Sequence, residues 1–399
     1  MKKRLLALAM SAAMTTGLLS GCGGGNPDTP AADGGDSANE ILVGLIANTT
    51  GDAAVYGNSV RNGAMLYIDK INAEGGVNGK QIKIIEYDDK GDPAEAVNAY
   101  NRLVSDGITA VIGAVITGTT LAVADEAYEM GMPMITASAT AAGVTRLNPD
   151  DPEEGIRDNV FRACFIDPFQ GEKMAEYAHE RLDAKTAAVI YETGNDYAEG
   201  VMNAFQAKCE ELGITVTDVE AYAKGDVEFK AQLTNIAASN PDVILSPNYY
   251  EADGMIVTQA RQVGVKGTFL GGDGWPGVKD YADAEALEGS VYCSGYSIGS
   301  NPEFETQYEE TYGSAIKGMF EPLGYDAAML MCNALTAAEE QDLTAGTEEY
   351  MAAVVQAMKE TTGLKGLTGT FSFDEFNDPI KETAIIRWEG GEEVFTEMF

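Results

Sequence analysis

The run Thr117-Gly118-Thr119-Thr120 follows an apolar segment ending at Gly113 and precedes a helical pattern. Such a run opens a helix, and a helix N-terminus offers unpaired N–H groups and partial positive charge to a carboxylate. Threonine hydroxyls there add charge-assisted hydrogen bonds worth roughly 1.5–3 kcal/mol each. As a plain N-cap the same residue contributes about 1 kcal/mol. The spacing Gly113-x4-Gly118 imitates a phosphate loop, but Thr119 stands where that loop requires lysine, which argues against a nucleotide. Ser138 and Thr140, in Ala137-Ser-Ala-Thr140, follow the next apolar run. Asp273, in Gly271-Gly-Asp-Gly274, reads either as an Asp-Gly turn or as a single acid presented at a strand end. Tyr56, Tyr197 and Tyr249 also come just after strand-like runs, where an aromatic ring either packs or walls a pocket.

Charge narrows the chemistry. Over 399 residues, 63 acids against 26 bases leave a formal charge of −37. A body this acidic repels phosphate backbones, so no nucleic-acid partner is expected. His179 is the single histidine. It rules out a His-cluster metal site and is the one candidate base for a Ser-His-Asp machine. It lies in a helical stretch beside Tyr177, Glu180 and Arg181 and reads as a surface residue. Paired acids could in principle hydrolyse glycosides, yet no compact constellation stands out. No enzyme, cofactor or metal is expected. The acidic loop 148–154 lacks EF-hand spacing and reads as a solvated insertion.

The first residues carry an address. Lys2, Lys3 and Arg4 precede an uncharged stretch, 5–19, which falls short of the ~20 apolar residues a membrane-spanning helix needs. It reads as a signal segment, 1–21. Leu19-Ser-Gly-Cys22 resembles a bacterial lipobox, so Cys22 is the expected lipidation site and the membrane the expected anchor. Residues 22–40 are Gly, Ala, Asp, Ser, Asn and Pro in the main and read as a flexible linker. Cys164, Cys209, Cys293 and Cys332 are widely spaced with no CxxC. Disulfides and buried free thiols are both compatible with that pattern.

The elements that position these residues alternate. Strands are expected at 41–47, 82–85, 110–113 and 133–136, with helices at 58–73, 93–105 and 119–129 between them. After an irregular stretch, 143–160, a second series begins. Helices 169–182, 196–212, 229–238 and 252–263 alternate with strands 186–191, 215–219, 243–245, 268–271 and 290–293. Helices near 302–315, 323–340 and 347–361 follow, then a short β tail. Alternation of this kind implies parallel sheets covered by helices. The two series share an opening of strand, polar loop and long helix ending at glycine, a weak internal repeat that implies two similar α/β lobes. Ligands of open α/β sheets bind outside the carboxyl ends of the strands, so two facing lobes would form a cleft.

Several segments then carry a family resemblance: Tyr67-Ile-Asp-Lys-Ile-Asn-Ala-Glu-Gly-Gly-Val-Asn-Gly79, Glu86-Tyr-Asp-Asp-Lys-Gly-Asp-Pro93, Val111-Ile-Gly113, Gln259-Ala-Arg-Gln-Val-Gly264 and Gly324-Tyr-Asp-Ala327. In this order, over 41–399, the chain resembles the branched-chain amino acid (leucine/isoleucine/valine) binding proteins of ABC transporters. The resemblance implies the type I periplasmic binding protein fold: two doubly wound parallel-sheet lobes joined by three crossovers, near 163–167, 294–298 and 365–370. Lobe I would comprise 41–164 and 297–366, and lobe II 165–296 and 367–399. It further implies a monomer that carries an amino acid to separate permease subunits, closing on it at the hinge. By position, Thr117 and Thr140 would meet the ligand carboxylate. The Ser138 carbonyl, Asp273 and Tyr197 would meet its ammonium, and Tyr56 and Tyr249 would wall the side-chain pocket. Trp275 and Ile116 are further candidates at the wall. No lysine or arginine is placed to greet a second carboxylate, which favours an uncharged side chain. The alternative is the same fold binding an amide, short acid or aromatic acid for transport or sensing. Gly91 and Ile116 stand near the places where some members carry a disulfide, so that bridge is absent here.

Overall fold

In the computed structural model, residues 39–149 and 151–399 are described. The expected lipidation site Cys22, the signal segment and most of the linker lie outside them. Lobe I is built on β1 (Glu40–Ala47), β2 (Gln81–Asp88), β3 (Ala110–Ile112), β4 (Met134–Thr136) and β5 (Val160–Arg162). All neighbours are parallel, in the order β2-β1-β3-β4-β5. The connecting helices are α1 (Ala54–Ala73), α2 (Pro93–Ser105) and α3 (Thr117–Met130). Tyr100, Leu103, Val123 and Ala127 of α2 and α3 cover one face of this sheet. On α1, Tyr56, Val60, Ala64 and Ile68 recur every fourth residue and are buried, the stripe a helix needs to pack on a sheet.

Lobe II repeats the plan. After α4 (Asp167–Glu180) come β6 (Thr186–Glu192), α5 (Asp196–Leu212), β7 (Thr215–Tyr222), α6 (Lys230–Ser239), β8 (Val243–Leu245), α7 (Tyr250–Gln262), β9 (Thr268–Gly271), the short α8 (Ala284–Leu287) and β10 (Val291–Ser294). Here β7-β6-β8-β9-β10 reproduces the strand order of lobe I. The weak repeat read from the sequence is therefore a repeat of topology. The chain then returns: α9 (Pro302–Tyr312), α10 (Phe320–Glu339) and α11 (Glu348–Lys359) belong with lobe I, α10 lying along α1. A small hairpin, β11 (Leu364–Lys365) and β12 (Thr370–Phe371), precedes β13 (Ala384–Glu389) and β14 (Glu392–Met398), which add antiparallel to β10 and complete a seven-stranded sheet.

Some boundaries differ from expectation for local reasons. Helix α1 starts at Ala54, four residues ahead of the expected start at Asn58, whose amide donates to Ala54 O and Thr49 O within the first turn. Helix α10 starts at Phe320, with Pro322 accommodated in its first turn. The insertion at 143–160 is pinned rather than merely solvated: the Arg157 guanidinium donates to Gly143 O, Arg146 O and Asp125. Residues 365–370 hydrogen-bond to α10 through Asp326, which accepts from Leu367 and Thr368. Asp378 pairs with Arg162 and Arg146 of lobe I. The chain first meets the second sheet at Thr383, whose hydroxyl donates to Ser294 O. All four described cysteines are buried free thiols. Among the described residues, no helix is long and apolar enough to cross a membrane.

Helices α1 and α10 cross at backbone contact. A Cβ on Gly63 would sit 1.9 Å from Glu321 O, and one on Gly324 would sit 2.2 Å from Val60 O. The crossing therefore has no room for a methyl group. Gly63→Ala should lower unfolding stability by about 1–3 kcal/mol, read from a chemical denaturation midpoint. An unchanged midpoint would show that the two helices can separate without loss.

Candidate functional site

Every residue singled out for chemistry lies just past the carboxyl end of a strand. Tyr56 comes after β1, Thr117 after β3, and Ser138 and Thr140 after β4; Tyr197 comes after β6, Tyr249 after β8 and Asp273 after β9. The strands β1 and β3, and likewise β6 and β8, neighbour one another in the sheet while their helices depart. That is the switch point where open α/β sheets leave a crevice. The structure gathers all seven residues around one narrow cavity of about 20 Å³, together with Val115, Ile116, Gly274 and Phe320.

The lobes are in contact across this cavity. The Tyr56 hydroxyl donates to Gly274 O and accepts from Tyr250 N at 3.0 Å. The Tyr250 hydroxyl donates to Asp52 O at 2.7 Å. Aromatic rings continue the seam: Tyr56 stacks on Phe320 at 4.3 Å and meets Tyr249 edge-on at 5.6 Å, and Tyr249 stacks on Tyr197 at 5.5 Å. Gly113, at the end of β3, passes the backbone of β1 too closely for a side chain, since a Cβ there would lie 2.2 Å from Ile46 O.

The polar groups divide by what they have left to offer. No side chain caps the first turn of α3. The hydroxyls of Thr119 and Thr120 both donate back to Ile116 O, at 3.1 and 2.9 Å. Thr117, 2% exposed, has no such bond and lines the cavity. Uncapped N–H groups and a free hydroxyl suit an anion. Ser138 Oγ donates to Val115 O at 2.8 Å, so its carbonyl is the group left for a donor. Thr140, 1% exposed, also lines the cavity, near the Asp167 carboxyl.

Asp273 is 3% exposed, and burial pushes its carboxyl up to about 7, held back in part by hydrogen bonds from Gln170 and Tyr197. Its own N–H donates to Gln170 Oε1 at 2.8 Å, and Gly274 N donates to the Tyr197 hydroxyl at 3.1 Å. The loop after β9 is thus more than an Asp-Gly turn: its backbone is fixed by two side chains of lobe II. Asp167, also buried and pushed well above the usual carboxylate range by burial, lies nearby. Among the described residues neither acid forms an ion pair, and no lysine or arginine lines the cavity. Trp275 is not at the wall. It is fully buried, donating from Nε1 to Ser246 O at 3.0 Å.

Two residues escaped the sequence reading. Phe320 lay in what reads as a connector before a helix at 323, and its signal was the aromatic residue just ahead of Pro322. Asp167 precedes Pro168, an acid-proline pair typical of a helix start, and it was passed over in favour of a helix beginning at 169.

With the geometry in view, comparison is informative. A profile described as periplasmic binding protein matches residues 40–392. The chain belongs to the periplasmic binding protein family. It is 31% identical over 360 residues to the Leu/Ile/Val-binding protein BraC3 of Rhizobium johnstonii, covering 90% of this chain and 94% of that protein. Its structure resembles that of the branched-chain amino acid transporter substrate binding protein LivJ from Streptococcus pneumoniae, solved with isoleucine. The TM-score is 0.80 at 30% identity, covering 90% of this chain and 99% of that one. A solute-binding protein from R. palustris solved with benzoate shares the fold, with a TM-score of 0.77 at 23% identity and coverage of 90% and 96%. The fold is the type I periplasmic binding protein fold, with a parallel sheet in each lobe.

Asp273 gives a pH signature. Its carboxyl keeps a proton to about pH 7 in the ligand-free folded state, whereas the ordinary value is 3.8. The folded state therefore holds more protons between those values, and stability falls as pH rises through that window. The effect of this one group is up to about 4 kcal/mol. Denaturation curves of ligand-free wild type and Asp273→Asn, taken from pH 4 to 8, should show a shallower decline in the variant. Parallel curves would mean that Asp273 titrates as if exposed.

Proposed function

We propose that this protein is the extracytoplasmic solute-binding component of an ABC transporter, which takes an amino acid with an uncharged side chain into the interlobe cavity and delivers it to a permease. One observation carries the reading. A buried carboxyl without a cation, Asp273, and an uncapped helix N-terminus headed by Thr117 line the same narrow cavity. A zwitterion supplies the missing partner for each, its ammonium to Asp273 and the Ser138 carbonyl, its carboxylate to Thr117 and the first turn of α3. Tyr56, Tyr249, Phe320 and Ile116 offer apolar contact to a side chain, and the absence of a lining cation speaks against a second carboxylate. Thr140 and Tyr197 act as supports, holding Asp167 and the loop carrying Asp273.

The relatives named for leucine, isoleucine and valine favour an aliphatic cargo. Closure follows from population shift: a ligand that touches both lobes favours the state in which both are within reach. A micromolar dissociation constant corresponds to about −8.2 kcal/mol, within reach of a few charge-assisted bonds and one buried side chain. In this proposal the mature chain works as a monomer, tethered by lipid on Cys22 through the linker, and performs no catalysis itself.

A thermal-shift screen of the protein against the common amino acids, simple amides and aromatic acids tests this, since a ligand of the folded state raises Tm by mass action. One or a few aliphatic amino acids should raise Tm, and Asp273→Asn should weaken them by about 2–5 kcal/mol, leaving the ammonium without its partner. A hit confined to amides or aromatic acids, unaffected by Asp273→Asn, would keep the fold and overturn the zwitterion reading.

A further inference from the structure

Asp253 lies in the first turn of α7, has no exposed surface and takes no part in the interlobe reading. Tyr250, Gly254, Ile256 and Val257 are buried on the same helix. Burial pushes the Asp253 carboxyl well above the usual carboxylate range, and hydrogen bonds from Ser246 and Asn248 hold it back. An acid in such a place is unfavourable unless its hydrogen bonds are made. A buried polar network whose bonds are made fixes one arrangement of the chain.

The bonds show which arrangement that is. Asp253 Oδ1 accepts from Ser246 Oγ at 2.6 Å and from Asn248 Nδ2 at 3.2 Å. Asn248 Nδ2 also donates to Ser246 Oγ at 3.1 Å, which closes a triangle of three side chains. Three strand ends meet this triangle. Asn248 donates to Ile190 O at 3.1 Å and accepts from Glu192 N at 2.9 Å, both in β6, whose following loop leads to Tyr197. Ser246 O accepts at 3.0 Å from Nε1 of Trp275, which stands two residues beyond Asp273. A Cβ on Gly274 would lie 2.2 Å from Asn248 O, so the loops after β8 and β9 touch at backbone distance. Asn248 is itself the residue before Tyr249. Ser246 and Asn248 belong to one loop, and Asp253 alone of the three stands on a helix.

We infer that Asp253 is a positioning residue of the interlobe site: through Ser246 and Asn248 it sets the mutual placement of the three loops that carry Tyr197, Tyr249 and Asp273. It does not line the cavity, and it acts by the placement of an acceptor oxygen. The effect on the loops stands on these bonds alone, while the effect on binding rests on the interlobe reading.

Asp253→Ala and Asp253→Asn test it. The first removes the acceptor, and the second keeps one carbonyl oxygen for Ser246 and Asn248. The indole N–H of Trp275 reports on the loops, its nitrogen–proton NMR signal being identified by its loss in Trp275→Phe. In the ligand-free protein that signal should move upfield in Asp253→Ala, as a lengthened hydrogen bond does, and stay in place in Asp253→Asn. Isothermal titration with L-leucine, L-valine and L-alanine should show Asp253→Ala binding at least about tenfold more weakly than wild type, and Asp253→Asn within about threefold of it. A merely structural role would lower the denaturation midpoint of Asp253→Ala and leave the indole signal and the affinity of the folded protein unchanged, which would overturn the proposal. Equal losses in both variants would also overturn it, since charge rather than the acceptor would then matter. If Asp253→Ala does not fold, Ser246→Ala, which keeps the backbone bond to Trp275, should give the same pattern on a smaller scale, and wild-type behaviour there would sink the idea. If no amino acid binds the wild type while the indole signal follows the expected pattern, the interlobe reading fails and the positioning of the loops is upheld.

Discussion

Parallel strands leave the sheet at one edge, and right-handed crossovers send successive helices to one face until the strand order reverses. That reversal is the constraint on which the molecule depends. It occurs between β1 and β3 in one lobe and between β6 and β8 in the other, with the same strand order in both sheets. Both crevices open toward one seam. The loop after β1 brings Tyr56, and those after β3 and β4 bring Thr117 and Ser138. From the other side the loops after β6, β8 and β9 bring Tyr197, Tyr249 and Asp273. A site assembled from six loops on two sheets has no precision of its own. It borrows precision from the sheets, and the backbone contact of α1 with α10 and the Gln170 and Tyr197 bonds to the β9 loop transmit it.

Electrostatics in the cavity runs against the usual economy of a core. Asp273 and Asp167 are both buried and unpaired by cations, whereas the buried Asp378 pairs with Arg162. The acid in the site is held in its rotamer by neutral donors that lower its penalty without removing it. With no cation beside them, burial favours the neutral form of both acids. The unclaimed N–H groups of α3 offer the opposite polarity to the same cavity.

Much of this was legible in the sequence, and the reason is periodicity. Apolar strand runs separated by amphipathic helices fix the α/β class, and the strand ends fix where polar residues gather. The seven residues, which come after strands and were singled out by the resemblance to the family's ligand positions, all line the one cavity. What was not legible depends on close tertiary contact. Asn58, the expected start of the helix, is instead the fifth residue of α1, its amide donating to Thr49 O and Ala54 O. Phe320 joins the wall only because α10 begins earlier than Pro322 implies. The third crossover follows Asp378, since Arg162 and Arg146, distant in sequence, hold that acid against lobe I. Spacing alone does not encode such partners.

The chain has two tryptophans, and both lie in the core of lobe II. Trp275 directly follows Gly274, whose carbonyl receives the Tyr56 hydroxyl from the opposite lobe. Its indole is anchored at Ser246 beneath the β9 loop and stacks near Tyr292, 6.1 Å away. Trp388 sits in β13, within the interior of the same lobe. One indole is thus adjacent in the chain to the interlobe contact, while the other lies in the antiparallel extension of the sheet. The protein carries a natural emitter beside its seam, so any change in that contact would register in its native fluorescence without a label.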